Sequence, residues 1–123
     1  MSELETTVLL VDDDLFVRAM LRDALADSGL AMIEACDGDE AVALAAAEQP
    51  ALVVLDLLMP RKSGLEAIPE ILQVSPNTRI IVLTSMDAEG MQALAFKAGA
   101  VGFVAKPFHP LEIVSAVSNA LQS

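Results

Sequence analysis

The sequence predicts a doubly wound α/β sandwich in which five parallel strands alternate with five helices. Three observations carry this. Short apolar runs recur along the chain and stop abruptly at polar residues, stretches of helical period separate them, and Gly or Pro punctuates several junctions. Strands that are apolar throughout belong in a parallel sheet covered on both faces and connected by right-handed crossovers.

The first strand is Val8-Leu9-Leu10-Val11, ending at Asp12-Asp13-Asp14. Over residues 15–28, Val17, Met20, Leu21, Ala24 and Leu25 fall at helical spacing with Arg18, Arg22, Asp23 and Asp27 off that stripe, and Gly29 ends the helix. A strand at 32–35 and an Asp37-Gly38 turn lead to an alanine-rich helix over 40–48, stopped by Pro50. The third strand, 52–55, runs into Asp56. A loop with Pro60 and Gly64 then opens a helix at 65–74, whose first turns Pro69 is expected to kink or trim. Ile80-Ile81-Val82-Leu83 ends at Thr84-Ser85. The helix at 87–98 is the weakest of the five, because Gly90 inside it costs about 1 kcal/mol relative to alanine. A strand at 102–105 ends at Lys106-Pro107, and a helix over 110–121 sets Ile113, Ala116, Val117, Ala120 and Leu121 on one side. No linker or low-complexity tract interrupts the pattern, so residues 1–123 read as one domain.

Composition narrows the function. Seven Lys and Arg against 18 Asp and Glu give a formal net charge of −11, which repels phosphate backbones and anionic lipid. Direct nucleic-acid or membrane binding is therefore not expected, and a cationic partner or ion is. Cys36 is the only cysteine, which excludes an internal disulfide and a cysteine-based zinc site and fits a reducing compartment. The acidic N-terminus lacks the apolar core of a secretory signal, and no run reaches membrane-spanning length, so the expected setting is the cytoplasm.

In an open parallel sheet, ligands bind beyond the carboxyl ends of the strands. The residues there are Asp12, Asp13 and Asp14, then Asp56, Thr84 and Lys106, all expected at one rim. An aspartate triplet alone is usually a solvated, helix-capping loop. Asp56 changes that reading, because two carboxylates about 4 Å apart repel by around 4 kcal/mol at an effective dielectric near 20. A divalent cation relieves the repulsion, and all-oxygen ligands favour Mg2+, with Mn2+ as the alternative. Mg2+ uses one or two carboxylates, leaving another free to react. A cation beside an aspartate, with a lysine and a hydroxyl on neighbouring strand ends, is the equipment for phosphoryl transfer to a carboxylate.

These residues resemble the receiver domain of two-component response regulators, chemotaxis-regulator-like, from about Val8 to Leu121. The carrying motifs are Leu9-Leu10-Val11-Asp12-Asp13-Asp14, Leu55-Asp56-Leu57-Leu58-Met59-Pro60 with Gly64, Val82-Leu83-Thr84-Ser85, and Gly102-Phe103-Val104-Ala105-Lys106-Pro107-Phe108. Each is weak alone, but four in order at strand ends are specific. The resemblance implies the flavodoxin-like (βα)5 fold with strand order 2-1-3-4-5. It implies Asp56 as phosphoacceptor, Mg2+ bound by Asp13, Asp56 and the Leu58 carbonyl, and Asp12 acting through a water. Lys106 would pair with the phosphoryl group, aimed by a cis bond to Pro107. Thr84 and Phe103 match the family's switch pair, whose output is a reshaped face around strands and helices four and five.

The implied partners are a sensor histidine kinase or histidine phosphotransfer protein upstream, and a downstream protein or fused output domain. Whether the chain stands alone or was cut from a longer protein stays open, as does phosphorylation-dependent dimerisation. The expected role is a signalling module that assists its own phosphorylation and slow autodephosphorylation, not a turnover enzyme. Ser85 replaces the family's usual alanine. Leu58 and Met86 are apolar where the family tunes water access, which predicts slow self-dephosphorylation. The competing classes are a phosphorylation-independent scaffold and a Mg2+-dependent phosphohydrolase using Asp12 or Asp14 as acid or base. A flavin-binding protein is disfavoured because the loop after the first strand is acidic, where phosphate needs backbone donors. His109 is expected to cap a helix or lie at the surface, and Cys36 to be an inert thiol. Arg61 and Lys62 either dock an acidic partner or sit in a solvated loop.

Overall fold

The computed structural model describes residues 6–85 and 90–122. Its elements are β1 (Thr7–Val11), α1 (Leu15–Ala24), β2 (Ala31–Ala35), α2 (Gly38–Glu48), β3 (Leu52–Asp56), α3 (Gly64–Val74), β4 (Arg79–Ser85), α4 (Met91–Ala98), β5 (Gly102–Lys106) and α5 (Pro110–Gln122). All four strand pairings are parallel, in the order β2-β1-β3-β4-β5. This is the predicted doubly wound sandwich. Among the described residues, no helix is long and apolar enough to cross a membrane.

The period-two alternation of strand side chains divides one sheet between two cores. Leu9, Val11, Val53, Leu55, Ile80 and Val82 pack with Ala41, Ala45, Ile68, Ile71 and Ala95 of α2, α3 and α4. Val8, Leu10, Leu52, Val54, Ile81, Leu83 and Val104 pack with Val17, Leu21, Ile113 and Val117 of α1 and α5. Burial on both faces explains why these strands read as unbroken apolar runs.

Helix boundaries differ from the expectations where side chains intervene. α1 stops at Ala24 rather than at 28: the Ser28 hydroxyl donates to the Leu25 carbonyl, and Gly29 takes a left-handed φ of 79°. α2 begins at Gly38, because the Asp37 carboxylate accepts from Glu40 N at 2.8 Å and makes the expected turn an N-cap. α3 starts at Gly64 behind a Ser63–Glu66 capping box and runs through Pro69 without ending. α4 starts at Met91, with Gly90 left-handed (φ 87°) directly ahead of it, so this glycine precedes the helix instead of weakening its interior. Residues 86–89, which include Met86 and the expected start of that helix, lie outside the described residues.

A buried polar cluster pins the end of the sheet opposite the acidic rim. Thr78 Oγ1 donates to the Pro50 carbonyl at 2.6 Å and contacts the Ser75 hydroxyl. Gln49, left-handed at φ 47°, donates to the Val74 carbonyl at 2.9 Å and so joins the ends of α2 and α3. Thr78→Val keeps the shape but leaves the Pro50 carbonyl and the Ser75 hydroxyl short of a partner. Its expected effect, read by urea denaturation, is a loss of about 1–3 kcal/mol with an unchanged fold.

Candidate functional site

The parallel sheet brings three strand ends to one rim. Asp12 and Asp13 follow β1, and Asp56 is the last residue of the neighbouring β3. One carboxylate oxygen from each of Asp12, Asp13 and Asp56 lies within 4.8 Å of the others. Asp12 and Asp56 are buried and Asp13 is exposed. Lys106, at the end of β5, reaches back across β4. Its Nζ lies 2.9 Å from Asp12 Oδ2 and 3.4 Å from Asp56 Oδ1. The Lys106–Pro107 peptide is cis.

Asp14 does not join the cluster the triplet suggested. Its carboxylate accepts from Phe16 N at 2.8 Å and caps α1, while its own N–H donates to Asp12 Oδ1 at 2.9 Å. Both Asp12 oxygens are thus engaged, one by a backbone N–H and one by Lys106. Asp56 Oδ1 accepts from Leu58 N at 3.3 Å. Gly64 fits because its missing side chain leaves room for β3: a Cβ there would sit 2.1 Å from the Asp56 carbonyl oxygen.

Thr84 is buried at the end of β4, opposite Ala105, and its hydroxyl donates to the Ser85 carbonyl at 3.4 Å. Phe103 is 42% exposed and packs edge-on against Phe96 of α4, with ring centroids 6.1 Å apart. The Leu58 side chain is 61% exposed beside Asp56. His109 caps α5 through Leu111 N, which donates to its Nδ1 at 3.1 Å. Arg61, largely exposed, pairs with Asp37 at 3.1 Å, and Lys62 pairs with Glu70 and Asp39. At Cys36, the Glu40 hydrogen bond, partial desolvation and nearby carboxylates raise the thiol pKa, which leaves little reactive thiolate at neutral pH. Sequence reasoning treated Arg18 only as a polar helix residue. It donates to the Asp12 carbonyl and to Glu34 of β2, and an isolated glutamate in an apolar strand was the available signal.

Electrostatics sets the state of the cluster. Burial, then the Asp12 charge, push the Asp56 pKa up to about 6, with Lys106 and the Leu58 N–H pulling the other way. Burial opposes the Lys106 charge, but the Asp12 hydrogen bond and the Asp56 and Asp12 charges outweigh it and hold the ammonium pKa above its usual value. The protonated Asp56 stabilises the fold at acid pH, and that contribution is lost as pH rises through about 6. Asp56→Asn removes this loss. In EDTA-treated buffer, the stability difference between Asp56→Asn and wild type should grow from pH 4 to pH 7, reaching on the order of 1–2 kcal/mol after solvent screening. A difference independent of pH would contradict the assignment.

A family model described as the response regulator receiver domain matches residues 8–118. The chain is 41% identical to the chemotaxis protein CheY of Thermotoga maritima over 113 residues, covering 91% of this chain and 94% of that protein. It is 40% identical to the chemotaxis protein CheY of Halobacterium salinarum over 114 residues, covering 93% and 95%. The structure of Vibrio cholerae chemotaxis protein CheY4 matches with a TM-score of 0.88 at 29% identity, covering 96% of this chain and 100% of that one. Because the family match runs from the first strand into the last helix, the chain belongs to the receiver domains of response regulators.

Proposed function

We propose that this receiver is a phosphorylation switch in which Asp56 takes a phosphoryl group from a phosphohistidine with the help of Mg2+. The observation that carries the reading is the convergence of the Asp12, Asp13 and Asp56 carboxylates within 4.8 Å, with Lys106 against two of them. An all-oxygen set of this charge fits Mg2+, with Mn2+ as the alternative. Asp13, Asp56 and the Leu58 carbonyl would hold the ion directly. Asp12, whose oxygens are already engaged, would act through a water. The bound cation supplies charge neutralisation for the carboxylates and the transferring phosphoryl oxygens.

The chain's own residues do the rest. Asp56, with its pKa near 6, is largely ionised at neutral pH and attacks the phosphorus. An O–P bond forms as the P–N bond to the donor imidazole breaks, and the electron pair returns to the ring nitrogen. Lys106, held protonated, follows the developing negative charge. The Thr84 hydroxyl, released from its long bond to the Ser85 carbonyl, donates to a phosphoryl oxygen. Phe103 leaves Phe96 and turns inward, which alters the face of β4, α4, β5 and α5. Phosphorylation biases an existing two-state equilibrium, and a few kcal/mol of differential affinity suffices.

The donor would be a sensor histidine kinase or a histidine phosphotransfer protein. The receiving end would be a downstream protein, a fused output domain or a second copy, in the cytoplasm and without direct contact with nucleic acid or membrane. Asp14 is spent on capping α1 and the Asp12 oxygens on Asp14 N and Lys106, which argues against a phosphohydrolase with either as general base.

Two experiments test the reading. Incubation with acetyl phosphate and Mg2+ should add one phosphoryl mass to the intact protein, with no gain in Asp56→Asn or without metal. Failure to gain mass, together with failure to bind beryllofluoride, would instead support a phosphorylation-independent scaffold. The exposed Leu58 is expected to leave the attacking water poorly oriented, so Leu58→Asn should shorten the lifetime of the phosphorylated protein in a mass time course. An unchanged lifetime removes Leu58 from that role.

A further inference from the structure

We propose, resting on the reading of the acidic rim as a Mg2+ site, that Arg18 is a positioning residue that sets the aim of Asp12 and Asp13, and that Glu34 cancels its charge. Arg18 lies one turn into α1, and its side chain is only 15% exposed. Its guanidinium makes two separate bonds: one N–H donates to the Asp12 carbonyl, and Nε donates to Glu34 Oε1 at 2.8 Å. The other Glu34 oxygen accepts from Arg22 at 3.1 Å, so Glu34 is itself held.

The Asp12 carbonyl belongs to the rigid plane that contains the α-carbons of both Asp12 and Asp13. On the other side of the same residue, Asp12 N donates to the Ala35 carbonyl of β2 at 3.2 Å. Asp12 is therefore gripped from both sides, by the edge strand through its N–H and by Arg18 through its carbonyl, and that carbonyl lies in the peptide plane that leads into Asp13. The two carboxylates inherit their direction from that plane.

Arginine is required because its planar fork serves two acceptors at fixed angles, which a lysine ammonium does not reproduce. A bare guanidinium at this place would also compete with a cation for the acidic rim. Glu34, set opposite Leu10 in an otherwise apolar strand, neutralises it. Groups around a metal site that orient its ligands typically change affinity by roughly ten- to a hundredfold when removed.

The test is calorimetric titration with MgCl2 of wild type, Arg18→Ala, Arg18→Lys, Glu34→Gln and Thr78→Val. Alongside it, the acetyl phosphate labelling rate is measured as a function of Mg2+ concentration. Arg18→Ala should weaken Mg2+ binding roughly tenfold, with Arg18→Lys recovering only part. The labelling rate at saturating Mg2+ should return towards wild type, since the defect lies in the concentration required. Glu34→Gln keeps an acceptor for Nε but loses the charge, and should weaken binding by a smaller factor. Thr78→Val, destabilised at the far end of the sheet, should bind Mg2+ as wild type does.

Wild-type affinity in Arg18→Ala overturns the proposal, as does a loss that simply tracks thermal stability across Arg18→Ala and Thr78→Val. Should Arg18→Ala fail to fold, Arg18→Lys is judged by the same criterion. Unchanged affinity in Glu34→Gln overturns the neutralising role. A wild-type protein that takes up no Mg2+ overturns the functional reading and this proposal together, whereas Mg2+ binding that ignores Arg18 overturns this proposal alone.

Discussion

The repulsion among carboxylates crowded at the end of a parallel sheet is the constraint on which the molecule turns. Asp12 and Asp56 are almost wholly buried, yet they and Asp13 share one small space. Burial and the Asp12 charge lift the Asp56 pKa to about 6, so the site holds its charge reluctantly. Lys106 is the one ammonium that meets this cluster among the described residues, and it can do so only because β5 ends two strands away from β3 and the side chain is long. A buried ion pair of this kind is a weak source of stability and a strong source of geometry.

The rest of the fold keeps that tension in place. Two cores clamp the sheet from both faces, and the Thr78, Ser75 and Gln49 cluster closes its opposite end. Gly64 lets α3 begin against the Asp56 backbone, which ties the end of β3 to the start of that helix. Thr84 and Phe103 are placed differently. Among the described residues the Thr84 hydroxyl makes a long bond to its neighbour's carbonyl, and Phe103 lies half-exposed against another aromatic ring. Strongly held elements therefore adjoin more loosely held ones across the β3–β4–β5 side.

Charge is distributed to the same end. Among the described residues, Arg18, Arg22, Arg61, Lys62 and Lys106 pair with carboxylates of this chain. Arg61 and Lys62 link the loop after Asp56 to the N-terminus of α2 and to α3. Carboxylates outnumber these cations, for a formal net charge of −11.

Much of this was legible in the sequence. The strands announced themselves because residues such as Leu9, Leu10, Val53 and Val54 are covered on both faces, and a side chain with no solvent-facing option leaves an unbroken apolar run. The strand-end residues Asp12, Asp56 and Lys106 followed, since a parallel sheet must deliver its carboxyl ends to one rim. Other features depended on distance in space rather than in sequence. Three consecutive aspartates look alike in the sequence, and only the chain's turn into α1 made Asp14 a cap while Asp12 and Asp13 joined Asp56. Arg18 stayed unseen because its partners are a backbone carbonyl and a glutamate 16 residues away. Periodicity and local chemistry thus determined the elements and where the chemistry would gather. Which carboxylates face one another, which cations hold them and how far burial shifts their protons were decided by packing, because those energies depend on separations and desolvation that exist only once the sheet has closed.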